Sequence, residues 1–90
     1  SWEKRFPEAH ARLAAVRPLI VERAEKLSMP VENLLTPDTL RRVCFEPALN
    51  IAAQLAELGA RKWQIEVCEE LIDSGLALAQ MAAQTPEALP

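Results

Sequence analysis

Apolar residues return at three- and four-residue intervals through nearly the whole chain, and that period admits few folds other than helices packed on helices. Ala9, Leu13, Val16, Ile20, Ala24 and Leu27 fall on one face of a first helix opening at Phe6-Pro7-Glu8. Pro7 suits a first-turn position there, and Glu8 complements the helix dipole. Pro18 interrupts the stripe: it removes the hydrogen bond to the Ala14 carbonyl and disfavours α geometry at Arg17, so a kink or break is expected. Val31 to Leu35 reads as a single turn that drops Leu34 and Leu35 into the core. Thr36-Pro37-Asp38 is a strong helix start, with a capping hydroxyl, a first-position proline and an acid. Leu40, Val43 and Cys44 form the buried side of that helix, with Arg41 and Arg42 pointing away.

A further helix is expected from about Ala48 to Leu58, with Ile51, Ala52, Leu55 and Leu58 as its stripe and Gly59 as a left-handed C-terminal cap. The last helix opens at Arg61-Lys62-Trp63-Gln64. Ile65, Cys68, Ile72, Leu76 and Ala79 carry its apolar period, and Val67, Leu71 and Leu78 widen the face, which places it centrally in the bundle. Only 4% of the residues are aromatic, so Leu, Ala, Ile and Val must fill the core, a mix that favours helices over a β-sandwich. Two glycines are too few for a hairpin-rich β protein. The expected architecture is therefore all-α: one compact bundle of about five helices over residues 1–84, followed by a C-terminal tail at 85–90.

The same composition narrows the chemistry. A net charge of −3 argues against a strong free-standing nucleic-acid binder, although a local basic patch remains compatible with it. Cys44 and Cys68 lie in helical patterns without a CxxC spacing, and His10 is the lone histidine, so neither a zinc site nor a disulfide framework is signalled. Two reduced core thiols in a cytoplasmic protein are expected instead. No apolar run approaches the roughly 20 residues of a membrane span. The start at Ser1-Trp2-Glu3-Lys4-Arg5 has no apolar segment behind it and reads as a cut through a longer chain rather than a signal peptide.

Glu66, Glu69, Glu70 and Asp73 share one side of the last helix. Such carboxylates could hold a divalent ion, but nothing elsewhere supplies complementary ligands, and a solvated acidic face is the expected role. His10 has no Ser or Cys placed beside it by a local motif and is expected at the surface, so no catalytic residue is assigned. The basic residues are more suggestive. Arg41 and Arg42 are adjacent on a short helix, and Arg61 and Lys62 flank the Gly59-Ala60 turn next to Trp63 and Gln64. A hairpin of this kind can offer backbone amides, a dipole end and cations to phosphate. Trp63 is expected first as a cap on the core, with stacking on an unpaired base as its second role. The candidate nucleic-acid-binding residues are thus Arg41, Arg42, Arg61, Lys62, Trp63 and Gln64.

Pro30-Val31-Glu32-Asn33-Leu34-Leu35-Thr36-Pro37, followed by Leu40-Arg41-Arg42, resembles the C-terminal region of bacterial ribonuclease D-like 3′–5′ exonucleases. So does Leu58-Gly59-Ala60-Arg61-Lys62-Trp63-Gln64, and the Arg12-Leu13 and Arg17 segment fits as well. The resemblance runs from about Trp2 to Leu78 and is specific only as a combination. It implies an HRDC-type helical domain, the second and C-terminal one, that helps hold RNA 3′ ends near an active site elsewhere. The parent would be a metal-dependent exoribonuclease acting on transfer RNA precursors or similar substrates. Its divalent metal would be held by carboxylates of an exonuclease domain whose motifs are not in these 90 residues, so no cofactor is implied for this domain. Partners implied are RNA, weakly, and the exonuclease and HRDC-type domains of the same chain, with no membrane. Where HRDC hairpins usually carry a Gly-Val-Gly turn, this chain has Gly59-Ala60-Arg61, which weighs against a phosphate grip built on backbone amides. The alternative role is structural: packing on those neighbouring domains, with an exposed apolar patch as its mark.

Overall fold

A computed structural model describes residues 1–84; the tail expected at 85–90 lies outside the described residues. The described residues form six helices: α1 (Trp2–Arg5), α2 (Pro7–Lys26), α3 (Val31–Leu34), α4 (Pro37–Phe45), α5 (Ile51–Glu57) and α6 (Lys62–Gln84). Among the described residues there is no strand, and the fold is all-α as expected. The two long helices, α2 and α6, pack on each other, and α3, α4 and α5 close the open side of that pair.

Each boundary has a local cause. Pro7 takes the first position of α2 and Pro37 that of α4, where the missing amide would have had no helical partner. Thr36 caps α4, its hydroxyl accepting from the Thr39 amide at 3.3 Å. The helix expected from Ala48 starts only at Ile51, because the Asn50 side chain accepts from the Ala53 amide at 3.0 Å and so marks the true N-terminus. The segment before it is pinned by Gln54, which accepts from the Ala48 amide at 2.9 Å and donates to the Glu46 carbonyl at 3.0 Å.

The C-terminal caps of α5 and α2 follow one scheme. Gly59 sits at φ +95°, with its amide bonded to the Ala56 carbonyl and the Ala60 amide bonded back to Leu55 at 2.9 Å. At the end of α2 the same 6→1 and 5→2 pattern recurs with Ser28 at φ +56° in the left-handed position. The α1 turn was not anticipated from the sequence. Pro18 does not break α2: helix runs unbroken from Pro7 to Lys26. Pro18 and Ala14 are both exposed, so the carbonyl left without its helical partner lies on the water-facing side.

The core is aliphatic. Val16, Ile20 and Ala24 of α2 meet Leu34, Leu35, Leu40, Val43 and Cys44 from α3–α4, Ile51 and Leu55 of α5, and Cys68 and Ile72 of α6. Both thiols are free and buried. Burial pushes them up from 9.0 to about 11, with Arg12 and Arg23 partly opposing it at Cys44 and Cys68 respectively. Such thiols stay protonated and unreactive at neutral pH. The apolar stripes bury where expected except at their ends. Leu27 and Leu78 are exposed, and α6 is central only in its first half.

The crossing of α2 and α6 is set by Gly75, which is buried. A Cβ placed there would lie 2.6 Å from Val16 Cγ2 and 2.7 Å from Val16 Cα. The second of these atoms belongs to the backbone, so no side-chain rotation can clear it. Gly75→Ala is therefore expected to lower the unfolding free energy by about 1–3 kcal/mol in urea titrations, despite alanine's better helix propensity. Adding Val16→Ala should not rescue it, since the clash with the backbone at Val16 remains.

Candidate nucleic-acid interface

Gln64 is fixed at both ends of its amide. Its Oε1 accepts from the Arg61 amide at 2.7 Å, the reach-back from the third helical residue to the N-cap that closes a helix start. Its Nε2 donates to the Asn33 carbonyl at 3.1 Å and so ties α6 to the end of α3. This candidate positions the site rather than contacting a ligand through a free amide. The neighbouring turn is similarly committed. The Gly59, Ala60 and Arg61 amides all donate within the protein, to Ala56, Leu55 and Gln64. No phosphate grip can be built from those three amides.

Arg61, Lys62 and Trp63 are exposed together at the start of α6. Trp63 is 43% exposed and lies outside the core, which corrects the expectation that it caps the interior. The core has no need of it: Leu34, Leu55 and Ile72 fill the interior with aliphatic side chains. Arg41 and Arg42 are exposed on α4, as expected. Arg42 is partly engaged, its Nε lying 3.0 Å from Asp38 one turn earlier. Arg41, Arg61 and Lys62 have no ion-pair partner among the described residues. Arg12 is the contrasting case. It reaches from α2 to α4 and donates to the Cys44 and Phe45 carbonyls at 2.6 and 2.9 Å, satisfying the C-terminal end of α4.

The two basic pairs do not share one cavity. Arg41 and Arg42 line an open hollow of about 380 Å³ with Trp2, Phe45 and Glu46. Gln64 and the Gly59 turn line a smaller one of about 80 Å³. Leu58 borders both, while Arg61 and Lys62 line neither. Sequence reasoning missed Trp2 and Phe45. Their signal was the scarcity of aromatics itself: the chain has two Trp, two Phe and no Tyr, and not one of the four belongs to the buried core.

The other candidates stay apart from these hollows. Glu66, Glu70 and Asp73 are exposed, and Glu70 lies 3.9 Å from Arg23. Among the described residues no group of three or more His, Cys, Asp or Glu side chains is arranged to hold a metal ion. His10 Nε2 lies 3.5 Å from Glu3 at the surface. Among the described residues, no helix is long and apolar enough to cross a membrane.

Residues 1–76 match a family described as the 3′ to 5′ exonuclease C-terminal domain. The chain belongs to that family. The match covers every element from α1 through the Val16–Gly75 crossing, and it makes the chain an accessory domain associated with 3′–5′ exonucleases. No curated protein and no solved structure matches the chain.

The double tie of Gln64 has a measurable consequence. Gln64→Ala should cost about 0.5–2 kcal/mol of stability, the usual size of a lost helix cap. Amide exchange at Arg61 should quicken more than exchange in the α2 core, as read by hydrogen–deuterium exchange.

Proposed function

We propose that this domain is a non-catalytic, HRDC-type accessory domain of a ribonuclease D-like, metal-dependent 3′–5′ exoribonuclease of the cytoplasm. It helps hold RNA 3′ ends for an active site elsewhere in the parent, where the divalent metal and its carboxylates reside. Arg61 and Lys62 engage phosphates at the start of α6, Trp63 stacks on an unpaired base, Gln64 fixes that helix end, and Arg41 with Arg42 extends the phosphate track onto α4.

The observation that carries this reading is the placement of the aromatics. Every one of the four lies outside the aliphatic core, and Trp63 stands beside two cations without ion-pair partners among the described residues. Aromatic faces beside cations are the recurrent solution for single-stranded nucleic acid, because every base has a π-face and every nucleotide a phosphate. The family supports a 3′–5′ exonuclease setting, and the resemblance of the Pro30–Pro37 and Leu58–Gln64 segments supports the ribonuclease D-like assignment. The net charge of −3 keeps the expected affinity modest.

A second reading has its own observation. Ala11, Ala14 and Ala15 of α2 and Leu78 and Ala79 of α6 line an open apolar groove of about 580 Å³. A domain that packs on its neighbours would use such a face. The two readings rest on different residues.

Titration of a fluorescein-labelled 12-nucleotide single-stranded RNA with the 90-residue chain separates them. Nucleic-acid binding should appear at low salt and fall with a slope of about −2 to −3 in log K against log salt, for three to four neutralised phosphates. Replacing both Arg61 and Lys62 by Ala should flatten that slope by about one or more. Absence of binding at low salt would overturn the first reading. Leu78→Glu should leave the RNA slope unchanged.

A further inference from the structure

We infer that the hollow formed by Trp2, Phe45, Arg41 and Arg42 is a second nucleotide subsite, which takes one unpaired RNA base on the aromatic faces and its phosphate at the arginine rim. This rests on the nucleic-acid reading above and adds a site at the α1–α4 end that the hairpin residues do not include.

Trp2 and Phe45, from separate helices, line the hollow, and Phe6 contacts Phe45 beside it. The Trp2 and Phe45 rings lie 6.2 Å apart at a 40° tilt, and Phe6 meets Phe45 edge-on at 5.0 Å. Phe6 and Phe45 are 37% and 44% exposed, and Trp2 is half-buried, so the cluster is an open surface rather than a fragment of core. An aromatic cluster that served folding alone would be expected to close over its faces.

The platform is held rigid from three sides. The edge-on contact of Phe6 orients the Phe45 ring. Arg12 holds the Phe45 carbonyl at 2.9 Å. Gln54 holds the Glu46 carbonyl at 3.0 Å and the Ala48 amide at 2.9 Å, so the loop that follows Phe45 is fixed as well. Such pre-organisation lowers the ordering cost of binding. The hollow, about 380 Å³, falls within the roughly 300–1,000 Å³ range of small organic ligand sites.

Its charges favour a nucleotide over an apolar peptide. Arg41 is free of ion pairs among the described residues, and Arg42 adds a second cation that Asp38 neutralises only in part. Glu46 also lines the hollow. Its carboxylate repels phosphate, which leaves the arginine rim as the place for the phosphate and the rings as the place for the base. Leu58 borders both this hollow and that of the Gly59 turn.

The chain's two tryptophans give a direct test. In ¹⁵N-labelled protein the two indole N–H resonances are assigned with Trp2→Phe and followed while hexauridylate is added at low salt. The expected result is a saturable shift of the Trp2 indole with the same Kd as the binding measured by anisotropy. Phe45→Leu, checked for unchanged helicity, should raise that Kd at least about fivefold, the lower end expected for one lost base–aromatic stack. A Trp63 shift with the Trp2 resonance unmoved overturns the second subsite and leaves the hairpin reading standing. No shift and no binding overturns both.

Discussion

The close approach of Gly75 to the backbone of Val16 sets the distance between the two long helices, and the rest of the domain is arranged around that distance. With no side chain at position 75, α2 and α6 come near enough for Val16, Ile20, Cys68 and Ile72 to meet across one seam. A seam this tight leaves room for aliphatic residues and thiols but not for rings. The three short elements then supply Leu34, Leu35, Leu40, Val43 and Leu55 to seal the open side. A 90-residue chain has little apolar surface to bury, so its stability depends heavily on such close packing.

That packing has a consequence for function. A core complete without aromatic side chains leaves Trp2, Phe6, Phe45 and Trp63 at the surface, in two groups, each beside exposed cations. The polar side chains between them are committed to holding the framework. Gln64 closes the start of α6 and ties it to α3, Gln54 pins the loop after α4, and Arg12 satisfies the end of α4. The exposed rings and arginines are thereby presented from fixed helix ends, and the Gly59, Ala60 and Arg61 amides of the hairpin are already bonded inside the protein.

The helices were legible from the sequence because their signals are local. The three- and four-residue apolar period, the Thr36-Pro37 start and the left-handed Gly59 each follow from one turn of chain. What escaped depends on partners distant in sequence. Pro18 is expected from the sequence to kink or break α2; the break does not occur, because that side of α2 faces solvent and water can replace the missing hydrogen bond. Gly75 carries no local mark of its importance; its role exists only opposite Val16. Asn50 did carry a capping signal, which the apolar period running back to Ala48 obscured. Of the site residues, Arg41, Arg42, Arg61 and Lys62 could be placed on the surface from helical phase. Trp63 could not, because whether a ring is buried depends on whether the core has space left, a property of the whole bundle.

RNA is expected to meet this domain at its aromatic and basic ends and not along the acidic side of α6. Photocrosslinking of a single-stranded RNA carrying 4-thiouridine at every position, with the attachment points mapped by mass spectrometry, measures this directly. The expected attachments are to Trp63 and its neighbours at the start of α6 and to the Trp2–Phe45 platform, with loss of both as salt is raised. Attachment concentrated near Glu66, Glu70 and Asp73, or spread without preference over the surface, would contradict it.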